Sequence, residues 1–224
     1  MACIYFPGCK YTAHSPEKSK QLSEYLEKKM GIGTTGCCSI HYKDLTEEDT
    51  AIYICPTCRA ILQESAPQAK LMSVYELLME DGDFPWPDYK GTKITVQDCW
   101  RIYDERPMQD AVREVLKRMN FSVFEIEDSF EKADFCGISL LRPYSERYEY
   151  LARKRFIEDA GNKFVSYPPE EQKRIMEQHC AQYKTEFVTC YCTGCLEGLE
   201  LGEAKGIHLM DLIMEPDAAI EKLL

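Results

Sequence analysis

The chain has 224 residues, of which 45% are hydrophobic, and a net charge of −11. That is apolar material for one large core or two small ones and excludes wholesale disorder. The acidic balance speaks against nucleic acid as a partner, because phosphate contacts need a basic surface.

Twelve cysteines are the strongest compositional signal. The opening MACIYFPGC has no basic n-region, and its apolar run stops at Pro7-Gly8. No apolar run approaches the roughly 18 residues that span a membrane. The reading is a cytoplasmic protein with no membrane span, whose thiols serve metal or redox chemistry rather than a disulfide scaffold.

Cys3–Phe6 predicts a short buried strand, turned by Pro7-Gly8 to expose Cys9. A helix follows, with Ser15 at the N-cap, Pro16 at the first helical position, and Leu22, Tyr25, Leu26 and Met30 along one face. Gly31 can take the left-handed cap. The glycine-rich GIGTTG delivers Cys37-Cys38, and Ala51–Ile54 predicts a buried strand running into Cys55. A helix is expected from near Cys58 and another over Ser73–Asp81.

The pattern then recurs. Thr92–Val96 predicts a strand ending near Cys99, Pro107 opens a helix with Ala111, Val112, Val115, Leu116 and Met119 on its apolar face, and Phe121–Ile126 predicts the next strand. Phe135-Cys136-Gly137 stands where Cys37-Cys38-Ser39 stood. Phe187–Thr189 predicts a strand leading to Cys192 and Cys195. The tails MSVYELLMED and IHLMDLIMEP follow the two C-x-x-C motifs in similar fashion. Such alternation and self-similarity predict an α/β chain of two pseudo-repeated small parallel-sheet halves with surrounding helices, residues 1–90 and 91–224. The extra length of the second half, about 141–186, predicts an inserted helical hairpin. Its first arm carries Tyr144, Tyr148, Leu151 and Phe156 and ends at Gly161. Its second opens at Pro168-Pro169 and carries Ile175, Met176, His179 and Cys180.

Two thiol sets emerge. Site one is Cys9, Cys37, Cys38, Cys55 and Cys58. Adjacent cysteines point apart in an extended backbone and suit a multi-iron cluster, which can use both, better than a tetrahedral zinc site with one spare thiol. Site two is Cys99, Cys136, Cys192 and Cys195, four thiolates that suit a cubane [4Fe-4S] cluster or a zinc ion. Cys190 is either a fifth ligand there or a buried small hydrophobe; Cys180 and Cys3 read as packing residues. His41, three residues after Cys38, and His14, five after Cys9, are the histidines placed to hand a proton to a departing thiolate at site one. Arg59 either balances cluster charge or lies exposed, and Trp100 either shields site two from water or is plain core. No nucleotide-binding motif is present, so electrons would come from a separate protein.

A lone Cys, then Cys-Cys, then C-x-x-C, followed by a second copy in which Phe135 replaces the first cysteine of the pair, resembles the duplicated cysteine-rich CCG domain that defines the disulfide-cleaving subunits of the heterodisulfide reductase family. That domain is also found in iron–sulfur subunits of lactate and glycolate oxidation systems. The resemblance covers nearly the whole chain outside the predicted hairpin. It implies an oxidoreductase that cleaves a small thiol/disulfide substrate at a noncubane [4Fe-4S] cluster bound by Cys9, Cys37, Cys38, Cys55 and Cys58. Electrons would arrive from an iron–sulfur or flavin partner. Cys99, Cys136, Cys192 and Cys195 match four of the five positions of the second motif. Two other readings remain open: a non-catalytic electron-transfer subunit of a 2-hydroxy-acid oxidation complex, and a zinc-stabilised interaction module.

Overall fold

The computed structural model describes residues 2–214. The chain is α/β, with two four-stranded, all-parallel sheets. In the first, β1 (Cys3–Phe6) leads into α1 (Cys9–His14) and α2 (Pro16–Met30), then β2 (Gly33–Thr34) and α3 (Cys38–His41). β3 (Thr50–Tyr53), α4 (Pro56–Ser65), β4 (Lys70–Ser73) and α5 (Val74–Glu80) complete it. The strand order is β2-β1-β3-β4. Every residue of β3 is buried, as befits an inner parallel strand covered on both faces. α2 starts with Pro16 at its first turn and ends at Gly31 in the left-handed conformation, where the Gly31 and Ile32 amides close on the Glu27 and Leu26 carbonyls. Leu22, Leu26, Ile52, Ile54, Ile61, Leu62, Val74 and Leu78 form its core.

The second sheet repeats the plan: β5 (Lys93–Val96), α6 (Arg106–Arg118) and β6 (Ser122–Phe124) come first. The chain continues through a 3-10 turn at Gly137–Leu140, α7 (Tyr148–Leu151) and α8 (Pro169–Cys180). β7 (Phe187–Cys190), α9 (Thr193–Leu201), β8 (Lys205–His208) and α10 (Leu209–Met214) close it. Its order, β6-β5-β7-β8, is the first order with each strand replaced by its counterpart. The expected repeat is therefore present strand for strand. The last two residues of the second tail, Glu215 and Pro216, lie outside the described residues.

The boundaries differ from the expected ones. The first compact unit comprises Met1–Glu80 and Ser145–Gly161, and the second Asp81–Tyr144 and Asn162–Leu224. The expected hairpin is thus divided: its first arm belongs with the first unit and α8 with the second. The first arm is also not one helix, but α7 followed by a wide π-type turn over Lys154–Glu158. Its buried apolar residues, Tyr148, Ala152, Phe156 and Ala160, recur every four residues. A 3.6-residue helix drifts off such a stripe, and the break at Ala152 and the wider turn restore the register. This strap is pinned to α4, since the Glu64 carboxylate accepts from the amides of Lys154 and Arg155 at 2.7 and 2.9 Å, and the Ser65 hydroxyl donates to the Leu151 carbonyl.

In the second unit a buried ionic network ties the ends of β5 and β7 to α6. Arg113 grips Asp98 with both terminal nitrogens, at 2.6 and 2.7 Å, and reaches Glu125 at 2.7 Å. The Tyr191 hydroxyl donates to Asp98 at 2.5 Å and the Phe130 amide at 2.7 Å. Asp98 is wholly buried, so removing its partner strands a charge. Arg113→Ala is expected to lower the unfolding free energy by about 3–5 kcal/mol, read from urea denaturation, with Glu125→Ala at the more exposed end costing distinctly less.

Candidate metal centres

With these strand orders, the connections leaving β1 and β3 diverge to opposite sides, as do those leaving β5 and β7. The carboxyl ends of these pairs open the crevice where parallel α/β sheets bind ligands. All nine cysteines of the two sets stand there. Cys9 follows β1, Cys37 and Cys38 follow β2, and Cys55 and Cys58 sit at and just inside the start of α4. Cys99 follows β5, Cys136 precedes the 3-10 turn after β6, and Cys192 and Cys195 sit at and just inside the start of α9.

Site two is compact and closed. The four sulfurs lie within 4.8 Å of one another, with Cys99–Cys136 at 3.5 Å and Cys136–Cys192 at 3.8 Å. None of the four is more than 2% exposed. The backbone holds the loops together: the Trp100 amide donates to the Phe135 carbonyl, and the Cys99 amide to the Tyr191 hydroxyl. Gly137 has φ +52, and an added Cβ there would stand 2.0 Å from the Gly194 carbonyl oxygen. Only a glycine lets the Cys136 loop press on the first turn of α9. The thiols of Cys136, Cys195 and Cys99 donate to Cys192 and hold it as a thiolate well below the ordinary thiol range, with Arg101 4.0 Å away adding to the effect. Burial pushes Cys99 and Cys195 far up. A cation bound among these four buried sulfurs would expel their protons. The site can hold a metal ion or an iron–sulfur cluster.

Site one is looser and open. Cys38 and Cys58 are buried, Cys37 and Cys55 half-buried, and Cys9 exposed. Among the described residues no three of these sulfurs gather as closely as the site-two set; their contacts are pairwise, Cys9 donating to Cys37 and Cys58 to Cys38 and Cys55, while Cys9 feels Cys38 and Cys55. Gly8 makes this convergence geometrically feasible. It has φ +68, and a Cβ there would meet Ile54 at 2.9 Å and Cys55 at 3.2 Å, so its absence lets the Cys9 turn lie against the end of β3. Burial works against a charge on Cys37, but the Ser39 hydroxyl at 3.0 Å, the Cys9 thiol and Arg147 outweigh it and hold this thiol below its ordinary range. Arg147 comes from the strap, and its guanidinium lies over the Tyr148 ring, close enough to feel both Cys9 and Cys37.

A second observation bears on what site one can hold. The Tyr5 hydroxyl is buried beside Cys58 and has no hydrogen-bond partner among the described residues. An acceptor such as an inorganic sulfide or a thiolate would complete it.

The remaining candidates fall in varied places. Cys190, buried in β7, directs its thiol to the Cys192 carbonyl at 3.6 Å and stands outside the four-sulfur group. Phe135 stacks on the His179 ring at 3.9 Å, filling with aromatic surface the position that Cys37 occupies in the first unit. Burial lowers His179 to about 4, so it stays neutral. Cys180 is half-buried at the end of α8, pushed up to about 11 by burial. Cys3 is exposed at the far end of β1. The His41 ring pairs with Asp44 at 2.9 Å and packs its other edge on Gly36, the residue before Cys37; His14 ends α1. Arg59 is buried rather than exposed, and Trp100 is core, edge-on to Phe164. Arg147 and the Asp98 network were invisible to motif reading. Arg147 lies far along the chain in a segment that reads as part of an insertion, and the Asp98 partners are dispersed.

Cys136→Ala is expected to abolish metal retention in the second unit and lower its thermal midpoint, measured by metal analysis and calorimetry. Cys190→Ala is expected to leave metal stoichiometry unchanged; loss of metal there would make it a fifth ligand.

Compared with protein-family models, curated proteins and solved structures, the chain matches none.

Proposed function

We propose that the chain is an iron–sulfur oxidoreductase of the heterodisulfide reductase type, with site one as its redox centre and site two as a closed metal site that stabilises the second unit. The observation that carries this reading is the contrast between the two sets on one scaffold. Four fully buried thiols, all within 4.8 Å of one another and with Cys136 3.5 and 3.8 Å from Cys99 and Cys192, are close to the edge of about 3.8 Å that follows from four metal–sulfur bonds of about 2.3 Å around a single tetrahedral ion. A cubane would have to spread them. Five interacting thiols, one exposed, exceed what one tetrahedral ion uses and leave a way in from solvent. Closed sites are the structural kind and open ones the reactive kind.

Bound at site one, a noncubane [4Fe-4S] cluster would supply single electrons and an iron within reach of an incoming disulfide sulfur. Reducing a disulfide takes two electrons, here from an iron–sulfur or flavin partner protein, and two protons, and yields two thiols. The chain's own residues have separable roles. Cys9, Cys37, Cys38, Cys55 and Cys58 bind the centre. The Ser39 hydroxyl and the Arg147 guanidinium balance thiolate charge at its open side. His41, held by Asp44, is the proton carrier adjoining the cysteine pair. On this reading the protein works in a reducing, cytoplasmic setting, where thiols stay available as ligands. Among the described residues no helix is long and apolar enough to cross a membrane.

Protein prepared without oxygen is expected to contain about four irons with acid-labile sulfide, plus a tightly held metal ion, and to show an EPR signal that changes on adding a disulfide. Cys38→Ala should remove the sulfide-bearing iron and spare the other metal. A colourless chain carrying only zinc would overturn the redox reading, and an EPR signal indifferent to thiols and disulfides would favour pure electron transfer.

Arg147 has its own test. With the thiols freed by chelator and reductant, alkylation of Cys9 and Cys37 by iodoacetate relative to iodoacetamide is expected to fall about three- to tenfold in Arg147→Gln, the effect of one nearby surface charge. Arg147→Lys should retain most of the preference, high salt should erase it, and Cys3 serves as an internal control.

A further inference from the structure

Tyr5 lies in β1, an inner strand of its sheet, in register with Thr34 on one side and Ile52 on the other. Its side chain is wholly buried, and its hydroxyl finds no hydrogen-bond partner among the described residues. A buried hydroxyl left unpaired is costly and uncommon, and each instance calls for a cause. The charge that reaches this hydroxyl belongs to Cys58, itself buried and in hydrogen-bond contact with Cys38 and Cys55. The unmet donor stands four residues before Cys9 on an inner strand, within electrostatic reach of Cys58.

The second unit supplies a comparison. The residue four before Cys99, matching Tyr5 four before Cys9, is Thr95. It pairs with Val188 of β7, four residues before Cys192, whereas Tyr5 pairs with Ile52 of β3, three before Cys55, so the two positions match along their own strands only. Its hydroxyl is satisfied within the protein by Thr185 at 2.6 Å. In the second unit the hydroxyl at this position is paired. In the first it is a phenol whose hydroxyl has no partner among the described residues.

We propose that Tyr5 is a positioning residue of site one, donating a hydrogen bond from its hydroxyl to a sulfur of the bound centre, either the Cys58 thiolate or an inorganic sulfide beside it. This rests on the cluster proposed for site one and adds a determinant of its potential and retention. A hydrogen bond to a cluster sulfur favours the more negative, reduced state and so raises the reduction potential. Tyr5 takes no part in proton delivery, because it is sealed from solvent.

The test is Tyr5→Phe in the full-length chain. Without metal, the substitution removes only an unpaired hydroxyl, so the urea midpoint is expected to stay equal or rise. With iron and sulfide incorporated, three changes are expected: a more negative midpoint potential, several-fold faster iron loss to a chelator, and disappearance of one exchangeable-proton coupling in ENDOR spectra of the reduced cluster. Unchanged potential, retention and coupling in a normally loaded variant would overturn the proposal and leave the cluster reading standing. A lower urea midpoint in the metal-free variant would also overturn it, by showing that water or protein already satisfies the hydroxyl. A wild-type chain that incorporates no iron and sulfide would fail the cluster reading itself, and this inference with it.

Discussion

The crevice at the carboxyl ends of paired inner strands is the constraint on which everything else depends. With strand order β2-β1-β3-β4, the chain leaves β1 toward one neighbour and β3 toward the other, and the backbone parts between them. Peptide groups at that opening are no longer consumed by the ladder, and helices start there with their amides facing inward. Thiolates are favoured at such a place because the helix ends bring partial positive charge. The architecture thus makes a sulfur-rich pocket stable without a large hydrophobic shell around it, and it does so in both sheets.

From one plan the two sheets have taken different directions. In the second unit the crevice is sealed. Asp98, Arg113, Tyr191 and the Phe130 amide lock the strand ends, Gly137 allows the Cys136 loop to press on α9, and the four sulfurs are drawn to single-ion distances. Gly8 occupies the position of Asp98 in the first unit, and Ile54 that of Tyr191. No equivalent polar lock can form from those residues, so the turn relies on close packing against Ile54 and Cys55 and on the Thr12 amide donating to the Gly8 carbonyl. The sulfurs stay further out, and solvent reaches Cys9. A sealed shell around one set of thiols and a more open one around the other is what the proposed pairing of a structural site with a reactive one requires.

Much of this was legible in the residues. Cysteine spacing marked both sets, because metal ligands must come from turns at strand ends, and turn signals such as Pro7-Gly8 are local. Strands β1, β3, β5 and β7 were legible because inner parallel strands are continuous apolar runs. β2 was not, since Gly33–Thr34 is too short to carry a pattern, and β4 was not assigned, only its last residue, Ser73, falling in the expected helix. The strap misled because its buried stripe repeats every four residues, which looks helical over one turn and fails over three. Arg59 and Arg113 illustrate the general limit: a charged side chain is read as exposed unless its partner is near in sequence, and the partner of Arg113 lies 15 residues away across a strand end.

The strap carries one more consequence, for how the protein can be taken apart. The polypeptide leaves the first unit after Glu80, supplies much of the second, comes back for Ser145–Gly161, and departs again. No single cut separates the halves cleanly. A fragment ending near residue 90 lacks the turn that Glu64 and Ser65 hold in place, together with Arg147 at the thiols. The repeat is visible as a tandem duplication, yet its first copy is a discontinuous domain, assembled only when the ribosome has finished a stretch of chain well inside the second.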